Sequence, residues 1–407
     1  MDKLTDVGRA RLEDFVERIG DELGHKGRRA SFATYALGLL AEGERKSVEP
    51  IAARACGTVE GIDAAHQRLL HFLTDADWSD HSVRRTAAQY ALGIMTAKEQ
   101  VESWILDDTG FLKQGSHSVG VQRQYTGSAG KITNCQIGVS LSITTHTEHL
   151  PIDFELYLPV CWTEDPARRK EGRIPDEVVF KTKPELGIDM VRRAVEADIP
   201  RGVVLGDSAY GTSSDFRLEL RRLGLDYSLG VSAETKVFEV GEVLNRGGAG
   251  ISLKQLAVKL HKKGKFRRFT WREGTKGELS ARFAKRRVFP CREQSRDSAE
   301  REPVWLLIEW RDGEAEPANY FFASFTEDVS RQRLVELTMQ RWRTERVYED
   351  LKGELGLDHF EGRRFRGWHH HVSVALCCYA FVIAERNRIF PLPTRRRGAA
   401  GPYRGAA

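Results

Sequence analysis

Residues 338–363 read TMQRWRTERVYEDLKGELGLDHFEGR, and the rest of the fold is read outward from them. No Pro interrupts the stretch, good helix formers dominate it, and Gly353 and Gly356 offer an exit, so the pattern predicts a helix. On a helix Arg341, Glu345, Tyr348 and Lys352 fall at i, i+4, i+7 and i+11 and share one face, with a carboxylate between two cations. Trp342, Val347, Leu351 and Leu355 add apolar surface beside it, so the helix would lie with its back to a core. Taken alone this is an ordinary solvated face, where an Arg–Glu pair contributes roughly 0.3–0.5 kcal/mol.

Composition sets the bounds. At 407 residues the chain is long enough for two or three domains. With 41% hydrophobic and 30% charged residues it has the balance of a soluble globular protein. No apolar run approaches the roughly 18 residues of a membrane helix, and MDKLTDVGRARLEDF lacks the apolar centre of a signal peptide. Cys56, Cys135, Cys161, Cys291, Cys377 and Cys378 show no C-x-x-C spacing, which argues against zinc and a disulfide framework and for a reducing cytoplasm. The net charge of +5 is unevenly spread: residues 254–287 carry 13 Lys and Arg against Glu273 and Glu278. Residues 385–407 carry six Arg against Glu385, which leaves the remainder at about −11. A basic segment beside an acidic remainder suggests polyanion binding.

In chain order, residues 1–100 read as all-helical, from LEDFVERIGDEL through DAAHQRLLHFL. Pro50 can open one helix and Gly57 can turn it into the next, a spacing compatible with a helix-turn-helix. At about residue 103 the texture changes. SWILDDTGF reads as a strand ending on aspartates, QYTGSAGKITNCQIGVSLSITTH as two strands around a Gly-rich turn, and HLPIDFELYLP as a further short strand. KPELGIDMVRRAVEADI is an amphipathic helix, RGVVLGDSAYG a buried strand delivering Asp207, and DFRLELRRLGL the following helix. The expected class is mixed α/β. Residues 230–328 read as a β-rich insertion holding the basic segment, whose Lys262, Lys263, Arg267 and Arg268 are interleaved with Phe266, Phe269 and Trp271. Cations for phosphates beside rings for bases suit a nucleic-acid surface. VSVALCCYAFVIAE is a buried helix, and the tail over 391–407 is expected to be basic and disordered.

Three acids stand out: Asp108 (with Asp107 beside it) at the end of the first strand, Asp207 at the end of a later strand, and Glu345 on the opening helix. Two unit charges about 4 Å apart repel by roughly 1–4 kcal/mol. Divalent cations with oxygen ligands remove that conflict. Two such ions about 3.5–4 Å apart can activate a water or a 3′-hydroxyl and stabilise the leaving oxygen of a phosphodiester. His369, His370 and His371 point about 100° apart on a helix, so packing between helices fits them better than one ion.

Here the chain resembles the DDE transposases of bacterial insertion sequences, and within them the insertion sequence 701 branch. The stretches that carry the resemblance are ERKSVEPIA, HFLTDADWSD, LDDTGFLKQGSHSVGVQRQYTGSAGKITNCQIGVSL, LYLPVCWTEDPARR, TKPELGIDM, GDSAYG, TKGELSARFA and the opening helix through HFEGRRFRGWHHH. They run in order from about residue 30 to 385. The resemblance implies an RNase H-like core over residues 101–229 and 329–390, interrupted by the insertion at 230–328 and preceded by a helical DNA-binding domain at 1–100. It implies a catalytic, metal-binding triad of Asp108, Asp207 and Glu345, with Asp107 as the alternative first ligand, and two Mg²⁺ ions, with Mn²⁺ able to substitute. Related transposases carry Tyr, two residues, Arg, three residues, Glu, six residues, Lys around the last acid; this sequence matches at Arg341, Glu345 and Lys352 and has Thr338 in place of the Tyr. Arg341 and Lys352 would flank the scissile phosphate, and Trp271 would stack on a base.

The function so implied is binding of terminal inverted repeats, metal-dependent cleavage there, and strand transfer into double-stranded target DNA by a homodimer in the cytoplasm, associated with the nucleoid. The alternative is a decayed or domesticated relative that binds the repeats and cuts nothing.

Overall fold

The computed structural model describes residues 2–56, 58, 61–240, 250–274, 277–291 and 302–389. Gly57, expected to turn one helix into the next, and the expected basic tail at 391–407 lie outside the described residues.

The chain opens with five helices: α1 (Asp2–Leu23), α2 (Lys26–Leu40), α3 (Val48–Ala55), α4 (Ile62–Thr74) and α5 (Asp80–Met95). Their apolar faces are buried at Phe15, Phe32, Tyr35, Leu69, Phe72 and Val83. Ser79 caps α5, its hydroxyl accepting from the Ser82 N–H at 3.1 Å, which satisfies one of the orphan donors of the first turn. Strands β1 (Ser103–Leu112), β2 (Gln122–Thr126), β3 (Lys131–Thr144) and β4 (His149–Tyr157) follow, then two short helices that no apolar periodicity announces, α6 (Val160–Thr163) and α7 (Pro166–Gly172). Asp165 and Pro166 open α7, the Asp165 carboxylate accepting from the Ala167 N–H at 2.8 Å.

Helix α8 (Lys183–Glu196), strand β5 (Val203–Gly206), helices α9 (Ser208–Gly211) and α10 (Ser214–Arg222) and strand β6 (Tyr227–Gly230) complete the α/β part. Strands β7 (Lys236–Glu239) and β8 (Ile251–Ser252) are followed by α11 (Leu253–Lys262), then β9 (Arg267–Gly274), β10 (Gly277–Pro290), β11 (Val304–Trp310) and β12 (Asn319–Ala323). The expected β-rich insertion therefore also carries a helix. Helix α11 starts with a capping box in which Ser252 and Gln255 satisfy each other's backbone N–H groups.

The stretch 338–363 is not one helix. Helix α12 (Arg331–Thr338) ends at Thr338, Met339–Trp342 form a 3-10 turn, and α13 (Arg343–Gly353) carries Glu345, Tyr348 and Lys352. A 3-10 turn advances three residues per turn, so the expected i, i+4 relation between Arg341 and Glu345 is broken at the join. Thr338 holds that join: it is buried, and its Oγ1 lies 2.6 Å from the Ser228 hydroxyl. The glycine exit is as expected, with Gly356 at φ +62°. The last helix among the described residues is α14 (Phe365–Ile389).

Two compact units result among the described residues: those within 2–101, 107–182 and 343–389 form one, and those within 102–106 and 183–342 the other. In the first, β3 lies beside β1 and pairs antiparallel with β2 and β4, while α14 packs on α5, α2, α4 and β4. In the second, the opening residues of β1 pair parallel with β5, β5 pairs parallel with β6, and antiparallel pairing continues through β12, β11, β10, β7 and β8. Ile105, Val203, Leu205, Phe283, Leu307, Leu334 and Leu337 form its core. The fold is mixed α/β, parallel and antiparallel strands flanked by helices, as an RNase H-like chain requires.

Candidate active site

Asp107 and Asp108 were expected to end the first strand, but β1 runs on to Leu112 and carries them at its middle, where they point to opposite faces because side chains alternate along a strand. Asp107 is 9% exposed, Asp108 is half-buried, and Asp107 Oδ1 accepts from the Asp108 N–H at 2.9 Å. By the same alternation Asp107 shares a face with Thr109. That face meets α13: Lys352 Nζ donates to Thr109 Oγ1 at 2.9 Å, to the Gly110 carbonyl at 2.7 Å and to Ser128 Oγ at 3.3 Å. Burial of the ammonium among these oxygens lowers the Lys352 pKa. Ser128 sits in the turn between β2 and β3, where its hydroxyl also accepts from the Gly110 N–H at 3.2 Å. Glu345 is exposed in the first turn of α13, seven residues and so about two turns before Lys352, on the same side of the helix. Tyr348 is buried, its hydroxyl 2.6 Å from Ser140 Oγ.

In the second unit, β5 is fully buried as Val203–Gly206 and hands over to Asp207, whose Oδ1 accepts from the Ala209 N–H at 2.9 Å and caps α9. The β1–β5 register is Ser103 to Val203, Trp104 to Val204 and Ile105 to Leu205. Asp207 follows two residues after Leu205, and Asp107 two residues after Ile105. Gly211 is required by packing: a Cβ there would lie 1.9 Å from the Gly230 carbonyl oxygen. Arg341 is half-buried in the 3-10 turn.

Lys262, Lys263, Arg267 and Arg268 are exposed at the end of α11 and the start of β9. Arg268 pairs with Asp312 at 2.8 Å, and Arg267 donates to the Gly264 carbonyl at 2.8 Å. Trp271 is half-buried, packed edge-on against the buried Phe283 with ring centroids 5.6 Å apart.

Among the described residues, one other acidic group could be taken for a metal centre: ligand atoms of His81, Asp153 and Glu155 all lie within 4.8 Å of one another. A cation of the chain already serves it. The Arg84 guanidinium, 2% exposed, reaches Asp80 at 2.8 Å, Asp153 at 3.1 Å and Glu155 at 3.5 Å. Burial pushes the Asp80 carboxyl up, but Arg84 overrides it and holds Asp80 well below the usual carboxylate range. No sequence motif marks this network, since its members come from α5 and β4. The three consecutive histidines separate as their spacing predicts: His369 approaches Glu155 at 3.3 Å, His370 the Trp78 carbonyl at 3.1 Å, and His371 the Gly356 and Leu357 carbonyls at 3.1 Å.

Comparison with known proteins gives the family. Residues 18–278 match the family described as DDE superfamily endonuclease, and residues 181–381 match the one described as transposase DDE domain. Over 202 residues the chain is 28% identical to the "Probable transposase for insertion sequence element IS701" of Microchaete diplosiphon. That stretch covers 49% of this chain and 48% of the relative, so the chain spans about half the length of the relative it matches. The endonuclease match alone takes in more than half of the chain and all five strands β1 to β5, and the protein belongs to the DDE superfamily endonucleases.

Proposed function

We propose that the protein is a DNA transposase that binds the terminal inverted repeats of its element, hydrolyses the phosphodiester there, and joins the freed 3′-hydroxyl to double-stranded target DNA. The observation that carries this reading is where the parallel β1–β5 pairing stops in a DDE superfamily chain: Asp107, within β1, and Asp207, just past β5, each follow two residues after the last paired residues, Ile105 and Leu205.

The donor set fits a hard divalent cation. Asp107 or Asp108, Asp207 and Glu345 offer carboxylate oxygens only, the ligand type Mg²⁺ and Mn²⁺ take. The His81–Asp153–Glu155 group fits less well, because the Arg84 guanidinium already occupies it, ion-paired to both carboxylates. Bound metal supplies an activated water and charge neutralisation at the leaving oxygen. Asp107 is favoured over Asp108 as the first ligand, because its face of β1 is the one that α13 reaches through Lys352. Lys352 positions the middle of β1 and the Ser128 turn. Arg341, Lys262, Lys263, Arg267 and Arg268 are assigned to DNA phosphates, and two copies would handle two ends together. Nothing favours the domesticated binder: Thr338, the departure that suggested it, is a buried packing residue.

The test is cleavage of a labelled duplex carrying the DNA that flanks the gene, in Mg²⁺, Mn²⁺ or EDTA. Nicking at the repeat boundary should need metal, be abolished in Glu345→Gln and Asp207→Asn, and fall further in Asp107→Asn than in Asp108→Asn. End binding should stay within a few fold throughout. Intact cleavage in Glu345→Gln would sink the assignment.

A further inference from the structure

From Thr109 through Thr147 the chain contains no Asp or Glu, although acids make up 58 of its 407 residues, about one in seven. The same stretch holds Lys113, Arg123 and Lys131. Within it β2 and β3 form a hairpin whose register sets Tyr125 opposite Ile132 and Arg123 opposite Asn134, so these four stand on one face. Tyr125 is 64% exposed and Ile132 61% exposed, and Arg123 is exposed beside them, while Lys131, paired with Thr126, is exposed on the other face at the turn.

The hairpin is otherwise firmly seated. Thr126 is buried against Gly110, where a Cβ would meet Thr126 Oγ1 at 2.0 Å. Ser128 ties the turn to Thr109, Gly110 and Lys352, next to the β1 aspartates. A rigid hairpin that keeps a phenol ring and a branched aliphatic side chain in water, flanked by cations in an acid-free stretch, suits a polyanion with flat apolar faces.

We propose that this hairpin is a DNA finger. Tyr125 stacks on a base of the strand to be cut, Ile132 supports the ring from the neighbouring strand, and Arg123 takes a flanking phosphate. The assignment rests on the DNA-cutting reading above and adds the residues that hold the strand beside the aspartates.

The experiment uses the full chain and the flanking-repeat duplex with 2-aminopurine at successive positions around the boundary. In EDTA, where nothing is cut, wild-type protein and Tyr125→Trp should quench one position that Tyr125→Ala leaves bright. In Mg²⁺, cleavage by Tyr125→Ala should fall about 10- to 100-fold, the scale of removing one base–aromatic stack, and Tyr125→Trp should restore it. An unchanged thermal melt checks that the exposed substitution leaves the fold intact. Wild-type fluorescence and cleavage in Tyr125→Ala would overturn the finger. If wild-type protein itself cuts nothing, the transposase reading fails, and the EDTA arm still decides whether the hairpin stacks on DNA.

Discussion

Arg84 shows how one side chain decides between two readings of the same carboxylates. With Asp80, Asp153 and Glu155 around it, the guanidinium makes the cluster a buried ion network and no cation site. Removing one partner of such a network leaves charge uncompensated in the interior, which costs about 3–5 kcal/mol. Arg84→Met should therefore lower the unfolding free energy, measured in urea, by that much, while Asp153→Asn should leave Mn²⁺ affinity, measured by titration calorimetry, unchanged. The same scale explains why the sequence left Asp107 and Asp108 open. Strand alternation says that the two face opposite ways, but which way is inward depends on Thr109 meeting Lys352, 243 positions further along the chain.

Among elements, α14 holds His370 and His371 neutral. Burial drives the ordinary 6.5 down to about 4 at both His370 and His371, and carbonyl partners only partly oppose it. The folded values lie below the unfolded one, so on acidification the unfolded chain takes up protons first. Stability is complete above about pH 6.5 and drains away as pH falls towards 4, by up to roughly 3 kcal/mol per residue at 1.36 kcal/mol per unit. His371→Gln should move the acid midpoint, followed by circular dichroism, to lower pH, while weakening the protein at pH 8 because the Tyr35 hydroxyl and the Gly356 carbonyl are left without their imidazole partner. Strands were legible because their alternation and β-branched residues are local. The break at Met339–Trp342 was not, because it is fixed by Thr338 bonding to Ser228, and the helical pattern runs through it unmarked. Helix α11 was missed because it lies in the basic segment read as part of the β-rich insertion, and its start is marked by the Ser252 capping box.

At the scale of the whole molecule, charge is sorted by function. Lys262 and Lys263 stand exposed at the end of α11, while Lys259 and Arg286 are engaged by Glu239. A Lys262→Glu/Lys263→Glu variant should bind duplex DNA more weakly. Its log–log salt slope should also be shallower by about 2, at roughly 0.9 for each phosphate that is no longer neutralised. An unchanged slope in fluorescence anisotropy would remove these residues from the interface. The family was legible from the order of short motifs, each weak by itself.

The first unit is assembled from three separate chain segments, and its long α14 packs on α5, α2 and α4. That has a consequence in time. A ribosome adds about 5–20 residues per second, so α14 emerges only some 10–60 s after α5. Throughout that interval Phe15, Val83 and their neighbours lack the helix that later covers them. The nascent chain is thus held short of its finished form until its last helix is made, and a message cut short before α13 yields a protein lacking Glu345 as well.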